Sequence, residues 1–123
     1  MEPCPELAGQ IEAGAPRAVL EAAVAGHVAN VTRRIGRAPD RAILGCTHYE
    51  IISDVFRASL RPGTPLVHQP DATAEALAAY LERRPEYQPG DLGRRIFLTT
   101  GAPGLQHDLA EAFWGAPLRF DPA

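Results

Sequence analysis

The sequence predicts an α/β fold in which a parallel sheet carries helices on its faces. Three observations lead to this prediction. Amphipathic helical patterns alternate with short apolar runs along the chain. Gly and Pro punctuate nearly every change of pattern. The apolar runs are short and unbroken, as in strands buried on both faces.

The first half of the chain opens with two helical patterns. A short helix is expected from Pro5 to Ala13, with Gly14 as its C-cap. A long helix follows from Pro16 and ends at Gly36 and Pro39. Its apolar residues recur at spacings of three and four and predict one buried stripe: Leu20, Val24, Val28, Val31 and Ile35.

Strands and helices then alternate to the end of the chain. Strands are predicted over Arg41–Gly45, Thr64–His68 and Arg95–Thr100, with an edge strand over Leu118–Phe120. Helices are predicted over Tyr49–Leu60, after an N-cap at Asp71, and over Leu105–Trp114, and Pro85–Gly93 reads as a loop. The residues expected to face the core are Ile52, Val55, Phe56 and Leu60 in the first helix, Leu77, Ala78 and Leu81 in the second, and Phe113 and Trp114 in the third.

Composition excludes several classes of function. A net charge of −3 over 123 residues gives no reason to expect a nucleic acid or an anionic membrane as partner. No apolar run approaches the roughly 18 residues of a membrane helix, and no secretory pattern opens the chain, so we expect a cytoplasmic protein with two reduced thiols. All 12 basic residues are arginine, which excludes lysine Schiff-base chemistry.

The strongest candidate site is the segment from Ala42 to Tyr49, in which Gly45 ends an apolar run and is followed by Cys46 and His48. A cysteine at such a strand-to-helix turn meets the positive end of a helix dipole and its first N–H groups, and both favour the thiolate. A zinc site would need more ligands at close spacing, which neither Cys4 nor the remaining histidines His27, His68 and His107 supply. Nucleophilic or acid/base thiol chemistry fits better; the competing interpretation is a small buried cysteine beside a surface histidine.

Other polar residues are weaker candidates when the residues alone are considered. Glu12, near the end of the first helix, reads as a solvated carboxylate. Cys4 lies between two prolines and reads as structural. The turn at 99–101 has N–H groups suited to a carboxylate, although most such turns have no role beyond reversing the chain.

The string Leu44-Gly45-Cys46-Thr47-His48-Tyr49 resembles the second catalytic-cysteine motif of glutamate racemases, in the aspartate/glutamate racemase superfamily. Two further stretches resemble the same family: Cys4-Pro5 followed by Ile11-Glu12-Ala13-Gly14, and Ile96–Gly101 with a helix ending at Phe113-Trp114-Gly115. The resemblance implies interconversion of L- and D-glutamate for peptidoglycan synthesis, with no cofactor and no metal. Two cysteines flank the α-carbon and transfer its proton. By this resemblance Cys46 is one acid/base, His48 assists it, Glu12 supports catalysis, and Thr47 holds the substrate.

The chain also departs from the family pattern. Family members are longer and have two lobes, and no residue here matches the partner cysteine or the Asp-Ser-Gly turn of the first lobe. The resemblance places residues 1–68 in the second lobe and residues 69–123 in a segment that returns to the first. We therefore expect a partial racemase-like fold, lacking strands of the first lobe. Glu50 stands where the family usually has proline.

The leading hypothesis is a truncated, glutamate racemase-like protein that is inactive alone. One alternative is a catalytically inactive interaction or regulatory module, and another is a related racemase acting on aspartate or another amino acid. The expected partners are a small-molecule substrate, glutamate, and either a second copy of the chain or the missing lobe.

Overall fold

The computed structural model describes residues 1–88, 90 and 95–123, leaving out the side chains of residues 105–109 and 112. It divides into two compact units, Met1–Glu75 and Ala76–Ala123. The assignment of residues 1–68 and 69–123 to two racemase lobes stays a prediction, since a division by compactness does not identify lobes.

The first unit alternates helices with short strands. Helices α1 (Leu7–Glu12) and α2 (Arg17–Ile35) precede strand β1 (Ala42–Ile43). A 3₁₀ helix over Thr47–Ile52, called the motif helix below, leads into α3 (Ser53–Ser59) and strand β2 (Leu66–Val67). Helix α4 (Gln69–Glu82) begins in this unit and ends in the second. Strands β1 and β2 pair in parallel, with Ala42 opposite Leu66 and Ile43 opposite Val67. Parallel neighbours need a helical crossover, which the motif helix and α3 provide.

The core of this unit forms where α1, α2 and α3 meet. Its buried residues form one cluster: Leu7, Ile11, Leu20, Val24, Leu44, Ile52, Val55 and Phe56. The predicted α3 face is confirmed, since Ile52, Val55, Phe56 and Leu60 are all buried. The predicted α2 stripe holds except at its end. Leu20 and Val24 are buried and Val28 packs partly buried against the core, whereas Ile35, in the last turn before the Gly36 C-cap, is 48% exposed.

The predicted helix over Tyr49–Leu60 is divided into two segments of different geometry. The motif helix is 3₁₀, and α3 begins only at Ser53, after Ile52 adopts φ −116° and ψ 28°. Ile51 and Ile52 are consecutive β-branched residues, which lower helix propensity. Tight winding of this kind is common where a chain enters an α-helix.

The predictions for α4 are partly wrong. The helix begins at Gln69, so Asp71 lies in its first turn instead of capping it, and there its charge still suits the helix dipole. None of its residues is buried, and Leu77, predicted to face the core, is 54% exposed. Apolar spacing marks the face of a helix that can be buried, but it does not identify a neighbour that covers it.

The second unit pairs strands β3 (Leu98–Thr99) and β4 (Asp121–Pro122) in parallel around helix α5 (Pro103–Trp114). The edge strand predicted over Leu118–Phe120 therefore lies further along the chain. Asp121 and Ala123 donate their N–H groups to the carbonyls of Phe97 and Thr99, both at 2.9 Å. Pro122, which has no N–H, falls between them, where none is needed.

Aromatic rings organise this unit, although the predicted burial of its last helix is wrong. Phe97 makes edge contacts with Trp114 and Phe120 at centroid distances of 5.7 and 5.9 Å. Phe113 and Trp114 are nevertheless 46% and 53% exposed. The predicted loop contains a 3₁₀ turn over Pro85–Tyr87, and its residues 89 and 91–93 lie outside the described part of the chain.

The α/β class with parallel strands and flanking helices is confirmed, and the strands among the described residues form two two-stranded sheets. No helix within the described residues is both long enough and apolar enough to cross a membrane.

We expect Leu7→Ala to lower the free energy of unfolding by about 2–4 kcal/mol, because Leu7 is 1% exposed and the truncation leaves a cavity between α1 and the core. Urea denaturation followed by circular dichroism measures this. The matched control is Leu77→Ala, which should change stability by less than about 0.5 kcal/mol because Leu77 is exposed. Equal losses in the two variants would contradict the assignment of the core.

Candidate active site

Cys46 lies where β1 gives way to the motif helix. After β1 the chain runs through buried Leu44 and then Gly45, and Cys46 is the extended N-cap residue, with φ −138° and ψ 138°. Its carbonyl accepts the N–H of Tyr49 at 3.1 Å, which closes the first 3₁₀ turn. The half-buried thiol thus follows a strand of a parallel sheet at its carboxyl end, the edge at which α/β proteins bind ligands.

His48 lies beside the thiol and contacts it directly. The His48 Nδ1 atom is 3.7 Å from Cys46 Sγ and 3.5 Å from the Thr47 hydroxyl oxygen. The extended N-cap and the 3₁₀ turn that follows it place the Cys46 and Thr47 side chains against the same ring nitrogen of His48. Thr47 is exposed, whereas Cys46 and His48 are half-buried.

The other ring nitrogen of His48 reaches Glu12, at the C-terminal end of α1. His48 Nε2 and Glu12 Oε1 are 2.7 Å apart. A carboxylate only accepts hydrogen bonds, so Nε2 carries a proton and donates it. In the neutral imidazole, Nδ1 is then an acceptor facing Cys46 Sγ. The residue-only interpretation of Glu12 as a purely solvated carboxylate is therefore wrong, although its side chain is 52% exposed.

This order of groups can move a proton. Nδ1 can accept the Cys46 proton to give a thiolate beside an imidazolium, and the Glu12 carboxylate stabilises that imidazolium. The arrangement is a thiol, an imidazole and a carboxylate in line, with the carboxylate fixing the tautomer of the imidazole.

Tyr49 connects this group to the start of α1, which sequence reasoning did not foresee. Its hydroxyl donates to the Cys4 carbonyl at 3.2 Å, and its ring lies 5.5 Å from that of Phe56. Burial, together with the charge that the Cys4 and Cys46 sulfurs would carry as thiolates and a side-chain hydrogen bond with Cys4, raises the pKa of Tyr49 to about 12. The phenol therefore stays protonated and able to donate at neutral pH.

Cys4 has a structural environment, as its residues suggested. Burial raises the pKa of its thiol, the Tyr49 hydroxyl opposes this, and negative charge at Glu2 and Cys46 adds to the increase. Its Sγ lies 3.8 Å from the Glu2 carbonyl oxygen. Cys4 is thus kept as a neutral thiol, unlike a group poised to accept a proton.

A second His–Glu pair lies at the same sheet edge and was also missed. His68 directly follows β2, and its Nδ1 is 2.6 Å from Glu50 Oε2. Arg57 lies 3.2 Å from His68 Nε2. The Glu50 side chain is 16% exposed, and its Oε1 is buried without a hydrogen-bond partner among the described residues. Glu50 lies in the first turn of the motif helix, and its carboxylate turns inward to meet His68.

The remaining candidates make other contacts, or their side chains lie outside the described residues. His27 contacts Glu2, with Nδ1 3.5 Å from its Oε1. At the turn after β3, Gly101 N–H donates to the Thr99 hydroxyl at 3.1 Å, so a side chain of the turn itself occupies this N–H. The side chain of His107 lies outside the described residues. Within the described part of the chain, no three His, Cys, Asp or Glu residues are arranged to hold a metal ion.

Comparison with known proteins agrees with the motif. The chain is 66% identical over 122 residues to a glutamate racemase of Phenylobacterium zucineum and 62% identical over 122 residues to one of Caulobacter sp.. A glutamate racemase of Paracoccus denitrificans is 39% identical over 123 residues. These alignments cover 99% of this chain but only 43%, 43% and 44% of the respective relatives. No protein-family model matches the chain.

A solved structure supports the fold independently. The crystal structure of a glutamate racemase isoform from Bacillus anthracis superposes with a TM-score of 0.82 at 24% identity. It matches 99% of this chain and 45% of that chain. The predicted partial racemase-like fold is thereby confirmed.

The pairing of Glu50 with His68 leads to a prediction about stability. His68→Ala should lower the free energy of unfolding by about 1–3 kcal/mol, because Glu50 Oε2 then loses its hydrogen-bond donor. Adding Glu50→Ala to that variant should recover part of the loss, because the stranded charge is then gone.

The control for this measurement is an exposed ion pair of similar length. Arg37 and Asp40 lie 2.7 Å apart with both side chains about two-thirds exposed, at 67% and 68%. Asp40→Asn should cost less than about 0.5 kcal/mol. Additive effects of the Glu50 and His68 substitutions in urea denaturation would contradict the coupling.

Proposed function

Because the chain belongs to the glutamate racemase family and corresponds to a C-terminal portion of its members, we propose that it supplies one of the two proton-transferring half-sites of a cofactor-independent glutamate racemase. The observation that carries the proposal is that His48, at the carboxyl end of β1, contacts Cys46 through one ring nitrogen and Glu12 through the other.

In this proposal the Cys46 thiolate removes the α-proton of one glutamate enantiomer. Its sulfur becomes a thiol while a second thiol, on the opposite face of the α-carbon, delivers a proton and becomes a thiolate. The reverse reaction exchanges these roles. His48 restores the thiolate by accepting the proton at Nδ1, and Glu12 stabilises the resulting imidazolium. We further propose that Thr47, which is exposed and has its hydroxyl oxygen 3.5 Å from His48 Nδ1, helps hold the substrate.

The second thiol of the proposed reaction does not come from this chain. Cys4 is its only other cysteine, and its half-buried, neutral thiol lies against the Glu2 carbonyl. We therefore propose that the opposite half-site belongs to the part of the family fold that this chain, at about 43% of its relatives' length, does not span. The product, D-glutamate, would serve peptidoglycan synthesis in the cytoplasm.

The chain alone should not racemise glutamate, because one thiol can protonate only the face it deprotonates. Incubation with L-glutamate should give no change in ellipticity. A robust turnover would contradict the two-thiol proposal for this chain.

A chimera gives the positive arm of this test. This chain would replace the matching 43% of the Phenylobacterium zucineum relative, which is 66% identical to it. The chimera should racemise glutamate, and Cys46→Ser should abolish that activity. A folded but inactive chimera would favour the alternative of an inactive interaction module. Activity on aspartate but not on glutamate would favour a related racemase.

The reactivity of Cys46 distinguishes a functional site from an inherited scaffold without any substrate. Cys46 should react with iodoacetamide near neutral pH faster than a free thiol, because His48 accepts its proton. His48→Ala should slow this reaction about tenfold or more. Peptide mass spectrometry separates labelling of Cys46 from labelling of Cys4.

The control is His27→Ala, which removes another half-buried histidine paired with a glutamate in the same unit. It should leave the labelling rate of Cys46 unchanged, because Arg34 at 3.0 Å and Asn30 at 3.4 Å still hold Glu2 and the start of the chain. An inert Cys46 in the native chain would support the scaffold interpretation.

A further inference from the structure

The motif helix contacts both ends of α1 through two consecutive residues. His48 reaches Glu12 at the C-terminal end of α1, at 2.7 Å. Tyr49 reaches the Cys4 carbonyl just before α1 begins, at 3.2 Å. The same carbonyl accepts the N–H of Leu7, the first residue of α1, at 3.3 Å. The Tyr49 hydroxyl and the first N–H group of α1 therefore donate to the same carbonyl oxygen.

Helix α1 is short and depends on such contacts. It has six residues, and no side chain caps its N-terminus. An isolated helix of this length is not stable in water, so tertiary contacts must set its position. Leu7 and Ile11 are buried and fix its depth in the core. Apolar packing is not directional, so it lets α1 slide along the motif helix. A hydrogen bond at the start of α1 has a defined distance and angle, and it therefore also sets the position of the C-terminal end of α1.

The ring of Tyr49 is itself held in place. It packs against Phe56 of α3, which is buried in the core. The hydroxyl also remains a donor over the whole neutral range, since the pKa of Tyr49 is raised to about 12. The Tyr49 hydroxyl and the Cys4 carbonyl thus fix the start of α1, and the half-exposed contact between Glu12 and His48 lies at the other end of this helix.

We propose that Tyr49 is a positioning residue: its hydrogen bond to the Cys4 carbonyl holds α1 so that Glu12 stays within hydrogen-bond distance of His48, and through that pair it sets the ability of His48 to accept the Cys46 proton. This rests on the proposed function only in assigning the thiol a role in proton transfer. The geometric part concerns α1 and the imidazole and stands without it.

The test uses Tyr49→Phe, which keeps the ring and its contact with Phe56 and removes only the hydroxyl. The rate of Cys46 labelling by iodoacetamide is measured from pH 5 to pH 9 on the full chain. Loss of the hydroxyl should slow labelling near neutral pH about three- to tenfold and shift the pH profile toward that of Glu12→Gln. In a Glu12→Gln background, adding Tyr49→Phe should have little further effect, because the two substitutions act through the same contact.

The control is Tyr80→Phe. Tyr80 is 43% exposed and stacks on Tyr87 at 6.2 Å. It should leave the pH profile of Cys46 labelling unchanged. A Tyr49→Phe protein that is less stable in urea but keeps the native labelling profile would overturn the proposal, because it would show that the hydroxyl stabilises the fold without positioning Glu12.

Nuclear magnetic resonance of the His48 ring gives a readout that does not depend on thiol reactivity. In the native chain, long-range ¹H–¹⁵N correlation spectra should show the neutral ring protonated at Nε2, and Tyr49→Phe should weaken that preference. An unchanged tautomer in Tyr49→Phe would overturn the proposal. An inert Cys46 together with a changed tautomer would contradict the proposed function and support the positioning role.

Discussion

The contact between α1 and the motif helix is the constraint on which the candidate site depends. The thiol and the imidazole come from one short segment, so local winding is sufficient to bring them together. The carboxylate is that of Glu12, at the end of α1. It reaches His48 only if α1 lies at the right position along the motif helix. Leu7 and Ile11 supply the apolar part of that packing, and the Glu12–His48 contact completes it at the surface.

The position of α1 depends in turn on the segment before it. Glu2 lies 3.0 Å from Arg34 near the end of α2, and Arg34 also donates to the Met1 carbonyl at 2.7 Å. Burial alone would raise the pKa of Glu2, but hydrogen bonds from His27 and Asn30 and the charge of Arg34 lower it. The negative form of Glu2 is therefore favoured by the fold, and it ties the start of the chain to α2. Helix α1 thus lies between two anchored points, Glu2 on one side and Glu12 on the other.

Sequence reasoning predicted the local features well and the pairings between distant elements poorly. The apolar run before Gly45, the turn at Cys46 and the buried face from Ile52 to Leu60 all follow from spacing and residue type within one segment. The strand predicted over Arg41–Gly45 is shorter, since β1 covers only Ala42–Ile43. The contacts of Glu12 with His48 and of Glu50 with His68 join residues far apart in the chain, and no local pattern encodes them. Family resemblance pointed to Glu12, but nothing pointed to His68, because the family usually has proline where Glu50 stands. Leu77 and Trp114 show the opposite failure, since their spacing marks them as core residues and the described structure leaves them half exposed.

The two His–Glu pairs at the carboxyl edge of the β1–β2 sheet show how one chemical motif serves two purposes. At His68, Arg57 lies against Nε2, and a guanidinium only donates, so Nε2 must accept and Nδ1–H must donate to Glu50. The contact between Glu50 and His68 therefore links the end of β2 to the motif helix. At His48, the nitrogen opposite the carboxylate faces a thiol, which can be donor or acceptor. Protonation there only moves a hydrogen from sulfur to nitrogen. Glu12 is 52% exposed where Glu50 is 16% exposed, so the first pair can also exchange its proton with solvent. The identity of the group facing the second ring nitrogen, together with exposure to water, separates the pair suited to proton transfer from the pair that holds the fold.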